Sequence, residues 1–304
     1  WGRQWTLILF LVNTKMNSKI VVGTANFGNP YGIANRGKLL PLDESKSIIN
    51  WAQENEINHF DSALAYGDAE EILSKYLNQS LSPEVDTKLD TKSCQSSASI
   101  IEAASKSRDR LGVDSLSTLY LHDEELLQSS SQPEVSDGLR EVLNLGIAKQ
   151  IGVSVYSEAA VIACKKALPE LTVFQVPENI CDRRLIDSKH IKDLADKGNS
   201  FMVRSIFLQG LLLMDARSVP PKLHLVQPQL QRLNEIANKQ KVKVLDLCLA
   251  YAYSISWASG IVIGVASLAQ LKEIFAPPSS LPEDWTSTIK TLPSELLDPR
   301  KWPK

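Results

Sequence analysis

The 304-residue chain has little cysteine and pairs none of it. Cys94, Cys164, Cys181 and Cys248 are far apart and form no CxxC pair. A zinc site is therefore not expected, and no metal ligand set is assigned. Most of the cysteines lie in or beside apolar stretches, as small buried hydrophobes do in a reducing compartment, so a cytoplasmic location is expected. There is no basic excess. The formal net charge is -2, which gives no electrostatic footprint for nucleic acid. Low-complexity tails and long runs of like charge are missing too. No apolar run is long enough to span a bilayer, which takes about 20 residues. The one candidate, Thr6 to Val12 (TLILFLV), has no A-x-A-like cleavage site after it. Met16 opens the segment MNSKIVVGTANFG, so residues 1–15 are expected to be upstream translation or a non-native addition, with the domain running over 16–304. Finally, no GxGxxG follows the first strand-like run, which weakens a doubly wound dinucleotide-binding sheet.

What is present is an alternation. Eight short strand-like runs recur: Lys19–Gly23, Ile57–Phe60, Glu84–Thr87, Thr118–Leu121, Gln150–Val155, Thr172–Val176, Ser200–Arg204 and Gly260–Gly264. Amphipathic stretches of helical length lie between them: Pro41–Glu54, Ala69–Asn78 with Asp68 as N-cap, Ser99–Leu111, Pro133–Leu145, Ser157–Leu168, Ser188–Lys197 and Val244–Trp257. Strict alternation implies a parallel sheet, and eight uninterrupted units imply closure. The expected fold is a single-domain α/β (β/α)8 TIM barrel. The Pro/Ser-rich Ala276–Glu283 then leads to a C-terminal helix and loop over the barrel.

Barrel chemistry sits at the C-terminal ends of strands. Four polar residues fall there on successive units: Asp61 in INHFDSALAYGDAE, Tyr66 five residues later, Lys88 in VDTKLD and His122 in LYLHDE. Adjacent strands lie about 4.8 Å apart, so groups on neighbouring ends can converge. Singly, each also admits an ordinary role: a turn residue, a loop aromatic, a solvated charge, a strand-end histidine bonded to backbone.

The stretch Ile57 to Leu73 resembles the signature of the aldo-keto reductases, and the TK and LH at the next two strand ends match that family's lysine and histidine positions in order. IGVSVYS (151–157), FQVPENICDRR (174–184), VRSIFLQGLL (203–212) and IVIGVASLAQLKEI (261–274) resemble further segments, so the likeness runs from about Val21 to Ile274. It implies reduction of an aldehyde or ketone, the small-molecule partner, with a nicotinamide cofactor; NADP(H) is favoured and NAD(H) stays open. Carbonyl reduction needs a hydride to carbon and a proton to oxygen. Tyrosine, with a pKa of about 10, is a poor acid near neutrality. Lys88, held by Asp61, would lower that pKa, and His122 would orient the carbonyl toward Tyr66.

By the same resemblance, Ser154 and Gln175 would hold the nicotinamide carboxamide. Ser205 and Gly210 would wrap the pyrophosphate. Gly264, Ser267 and Gln270 would hold the adenosine end, where a helix N-terminus favours phosphate. The likeness departs at Val155, where an Asn is common, at Ala266, where an Arg often meets the 2′-phosphate of NADP, and at Ile206-Phe207, where Pro-Leu is common. Lys272 is the expected substitute for that Arg, as a point charge rather than a planar fork. Phe27, Tyr31 and Leu64 are the expected pocket wall. Two other readings stay open: a cofactor-binding regulatory protein of the same fold, and a Schiff-base aldolase using Lys88. The oligomeric state and the substrate are not legible.

Overall fold

A computed structural model describes residues 19–33, 38–275 and 285–302. Residues 1–15, Met16 and Ala276–Glu283 lie outside the described residues. Eight strands form a closed barrel in sequence order: β1 (Ile20–Gly23), β2 (His59–Asp61), β3 (Glu84–Leu89), β4 (Leu116–Leu121), β5 (Ala148–Ser154), β6 (Val173–Pro177), β7 (Ser200–Arg204) and β8 (Gly260–Gly264). Every neighbouring pair is parallel, and β1 closes on β8 through Ile20↔Ile261 to Gly23↔Gly264. The architecture is the expected (β/α)8 barrel.

Each strand has two jobs, which is why its pattern is more apolar than alternating. Residues facing outward, such as Phe60, Leu119, Val153 and Phe174, pack under the helices in one large core. A second, small cluster of Val21, Tyr120, Val173 and Met202, with Val262 against it, packs apart from that core. Gly152 shows how tightly the second cluster is filled. A Cβ there would meet the Tyr120 ring at 2.7 Å.

Helices begin where the sequence offers caps. Ser96, Ser157, Ser188 and Ser267 each accept a backbone N–H at the start of Ser97–Leu111, Glu158–Ala167, Lys189–Asp196 and Leu268–Ile274. Asp68 stands at the expected N-cap of Ala69–Tyr76, but its side chain makes no cap bond. One long helix, Gln227–Gln240, is not among the expected ones. Its apolar stripe of Leu230, Leu233 and Ile236 follows a stretch of 3-10 turns (Leu211–Leu213, Ala216–Ser218, Pro221–Val226). The second strand starts at His59, two residues later than expected, and carries Asp61 itself.

The C-terminal tail returns to the barrel as expected. Leu292 N donates to Cys181 O at 2.9 Å, and Arg183 donates to Ile289 O at 2.6 Å. Among the described residues no helix is long and apolar enough to cross a membrane, and no three His, Cys, Asp or Glu side chains group as metal ligands would. All four cysteines are free thiols and buried.

Candidate active site

Parallel closure puts the C-terminal ends of all eight strands on one face. A cavity of about 970 Å³ opens there. Its wall includes Gly23 of β1, Asp61 of β2, Ser154 of β5, Gln175 of β6, Arg204 of β7 and Gly264 of β8, with Tyr66 and His122 from the loops after β2 and β4.

Asp61 and Lys88 form a buried ion pair. The Lys88 Nζ donates to Asp61 Oδ2 at 2.6 Å and to Ser62 O at 2.8 Å. Lys88 is only 1% exposed and is not part of the cavity wall. Its ammonium lies behind Tyr66, 5.3 Å from that ring's centroid, and 5.8 Å from the centroid of Tyr120. The second Asp61 oxygen, Oδ1, accepts from the Gln175 amide at 2.8 Å. Both oxygens of the carboxylate are therefore engaged, as a buried charge requires.

Tyr66 is held by its loop. Its N–H donates to Ala63 O at 2.9 Å, and Gly28 packs flat on the backbone from Tyr66 to Ala69. Any Cβ at Gly28 would collide with the Tyr66 carbonyl, so only glycine permits this approach. The Tyr66 and His122 rings meet edge to face, 6.0 Å apart at 85°. The structure thus brings Asp61, Tyr66, Lys88 and His122 together.

The electrostatics differ from the expectation in one respect. Burial, and then the Asp61 charge, push the Tyr66 hydroxyl above the ordinary tyrosine range; Arg204 is the cation that pulls against them. His122 moves the other way. Burial, with the Lys88 and Arg204 charges, holds its pKa down to about 4, so its imidazole is neutral around pH 7.

The expected cofactor residues divide. Ser154, Gln175, Ser205, Gly210, Gly264 and Gln270 line the cavity. Ser205, Leu208, Gln209 and Gly210 take positive φ along a tightly wound loop, and Ser205, Gln209 and Gly210 line the cavity. Gly264 leaves open space, its nearest neighbour to a Cβ being Gly23 O at 4.0 Å. Ser267 and Lys272 do not line the cavity. The Ser267 hydroxyl caps Leu268–Ile274, accepting from Gln270 N at 3.1 Å, and Gln270 Oε1 in turn accepts from Ala266 N at 2.8 Å. Lys272 is exposed. The lysine at this end of the wall is Lys243, paired with Glu273 at 2.5 Å.

Of the expected pocket wall, only Tyr31 lines the cavity. Phe27 is 1% exposed in the core, because it belongs to the one-turn helix Ala25–Gly28 that packs inward. Leu64 is half-buried against the core, and its N–H donates to Lys88 O at 3.0 Å. Val155 is fully buried, its N–H donating to Gln175 O at 3.0 Å, so it contributes no polar side chain to the cavity. Arg204, Tyr156 and Arg300 are among the wall residues that are not expected. Arg204 has a sequence signal, since it ends a strand; Arg300 has none, because only the folded tail brings it to the barrel mouth.

Residues 19–288 match the model of the Aldo/keto reductase family. Among curated proteins, an oxidoreductase of Leptosphaeria maculans, sirO, is 27% identical over 208 residues, covering 64% of this chain and 61% of its own length. D-arabinose 1-dehydrogenase of Saccharomyces cerevisiae is 24% identical over 291 residues, covering 86% and 85%. Among solved structures, glycerol dehydrogenase AKR11B4 of Gluconobacter oxydans superposes with a TM-score of 0.65 at 21% identity, covering 88% of this chain and 89% of that one. The thermostable aldo-keto reductase Tm1743 superposes at 0.67 with 18% identity, covering 88% and 92%. With a closed (β/α)8 barrel and a family match over most of its length, this chain belongs to the aldo/keto reductase family.

Proposed function

We propose that this chain is an NAD(P)H-dependent carbonyl reductase that converts an aldehyde or ketone to an alcohol, with Tyr66 as the proton donor. The observation that carries this reading is the Lys88–Asp61 pair buried directly behind Tyr66, with His122 edge-on to the same ring. The cavity suits an extended cofactor. It runs past the Ser154 and Gln175 side chains, along the left-handed turn at Ser205–Gly210, to the open cradle at Gly264. When bound, a reduced nicotinamide supplies hydride to the carbonyl carbon.

The residues of the chain supply the rest. The Tyr66 hydroxyl is kept protonated by its raised pKa and gives its proton to the carbonyl oxygen as negative charge grows there. The neutral His122 imidazole is a hydrogen-bond donor to that same oxygen and does not compete as an acid. Lys88 and Arg204 stabilise the tyrosinate left behind, which water then reprotonates. Ser154 and Gln175 orient the carboxamide, and the Asp61 hydrogen bond fixes the Gln175 amide. Lys243, rather than Lys272, is the cation for a 2′-phosphate, in competition with Glu273.

The aldolase reading loses its support. A Schiff base needs a neutral amine open to substrate. Lys88 is buried, ion-paired and absent from the cavity wall. Titration with NADPH and separately with NADH, followed by quenching of tryptophan fluorescence, tests the cofactor claim. Tighter binding of NADPH is expected; binding of neither contradicts the reading.

A further inference from the structure

β7 ends in an arginine that the chemistry above uses only at long range. Arg204 is half-buried in the cavity wall. Its guanidinium carbon lies 4.3 Å from the centroid of the Tyr156 ring, and that of Arg300 lies 3.5 Å from the same centroid. Two cations therefore share one aromatic ring at the barrel mouth. Arg300 is anchored, since it donates to Asp298 at 2.9 Å. Arg204 is not. Its Nη1 reaches the Ser205 hydroxyl at 3.3 Å and its Nη2 the Val155 carbonyl at 3.4 Å, both longer than the usual N–H···O bond of about 2.9–3.0 Å. Its Nε is buried and, among the described residues, has no hydrogen-bond partner. Among the described residues, no carboxylate pairs with it.

A guanidinium in the cavity wall, held by long contacts to neutral groups through Nη1 and Nη2, keeps its charge available to an oxyanion. Its planar fork matches a carboxylate in two parallel bonds. Glu124 is an acid that feels the Arg204 charge. It is engaged elsewhere, accepting from Tyr156 N at 2.8 Å, and burial pushes its pKa up. Asp61 is taken by Lys88 and Gln175. The Arg204 charge is felt by Tyr66, His122 and Tyr31, so the anion it awaits belongs at the end of the cavity where the carbonyl is reduced.

We propose that Arg204, stacked on Tyr156 beside Arg300, binds a carboxylate carried by the substrate, so that the preferred substrates are aldehydes or ketones bearing an acid group. The proposal rests on the reductase reading. The ring orders Arg204, and the second cation at Arg300 deepens the positive field without filling the site.

The test is a matched pair of aldehydes, 4-carboxybenzaldehyde and its methyl ester, assayed with NADPH on the wild-type protein, Arg204→Met, Arg204→Lys and Arg300→Met. The wild type is expected to favour the acid in kcat/KM by about 10-fold or more, the scale of a hydrogen bond to a charged group. Arg204→Met should bring the acid-to-ester ratio down by about 10- to 100-fold through the KM of the acid, with Arg204→Lys intermediate because it keeps charge and loses the fork. Arg300→Met, on an exposed side chain, should lower the ratio less. Equal use of acid and ester by the wild type overturns the proposal and leaves the reductase reading standing. A ratio unchanged in Arg204→Met, with a raised KM for NADPH, also overturns it and gives the guanidinium to a cofactor phosphate. Neither aldehyde turned over, with no NADPH bound, overturns both.

Discussion

The Gln175 amide donates to Asp61 Oδ1 at 2.8 Å, from β6 on one side of the barrel to β2 on the other. One hydrogen bond thus joins a residue proposed to hold the cofactor to the carboxylate that pairs with Lys88. Asp61→Asn leaves the Lys88 ammonium buried without a counter-charge. Removing one partner of a buried pair costs about 3–5 kcal/mol, so the denaturation midpoint should fall markedly. Gln175→Leu should weaken cofactor binding and lower kcat together, since it frees one Asp61 oxygen as well. Unchanged kcat in Gln175→Leu contradicts the coupling.

The imidazole of His122, with its pKa held down to about 4, should not titrate across the neutral range. The kcat/KM for reduction should therefore show no break near the ordinary histidine pKa of about 6.5. In stability the sign is fixed by a folded pKa below the unfolded one. The contribution is complete above about 6.5 and is lost as pH falls toward 4. His122→Gln should flatten that limb of the stability profile. A kinetic break near 6.5 that disappears in His122→Gln contradicts a neutral imidazole.

Glu178 gives the opposite dependence. It is fully buried just after β6, accepts from Tyr251 Oη at 2.6 Å and from Leu185 N at 3.1 Å, and burial raises its pKa to about 8. Its stabilising contribution is complete below the ordinary carboxylate range and is lost as pH rises through about 8. Glu178→Gln keeps both hydrogen-bond partners and cannot ionise. Denaturation midpoints measured from about pH 6 to 9 should fall less steeply for this variant than for the wild type. Parallel profiles contradict the assignment.

Lys243→Met tests the adenosine end. If Lys243 serves a 2′-phosphate, the KM for NADPH should rise by about 10-fold, the scale of one charged hydrogen bond, while that for NADH stays within a small factor. Equal changes for both cofactors contradict that role.

The barrel is legible in the sequence because each unit repeats one physical pattern, an apolar run and then an amphipathic stretch, with a serine cap at four of the helices. The helix Gln227–Gln240 escapes that pattern, following several 3-10 turns rather than a strand. The convergence of Asp61, Tyr66, Lys88 and His122 is legible because parallel closure puts strand ends and the loops after them on one face. Phe27 and Leu64 are misplaced because an aromatic or aliphatic residue after a strand serves packing as readily as recognition. Lys272 fails as a cavity lysine because helix phase decides which side chain turns inward, and at this end Lys243, not Lys272, lines the wall. The meeting of Arg204, Tyr156 and Arg300 could not be read at all, since it depends on where the tail lands.

Tyr66→Phe tests the central claim most directly. The substitution removes one hydroxyl and keeps the ring against His122 and over Lys88. NADPH oxidation with 4-carboxybenzaldehyde or its ester should fall by about 10²- to 10⁴-fold, the range for a lost general acid, while NADPH binding by fluorescence stays as in the wild type. Full turnover in Tyr66→Phe would contradict the account, because the proton would then have another source.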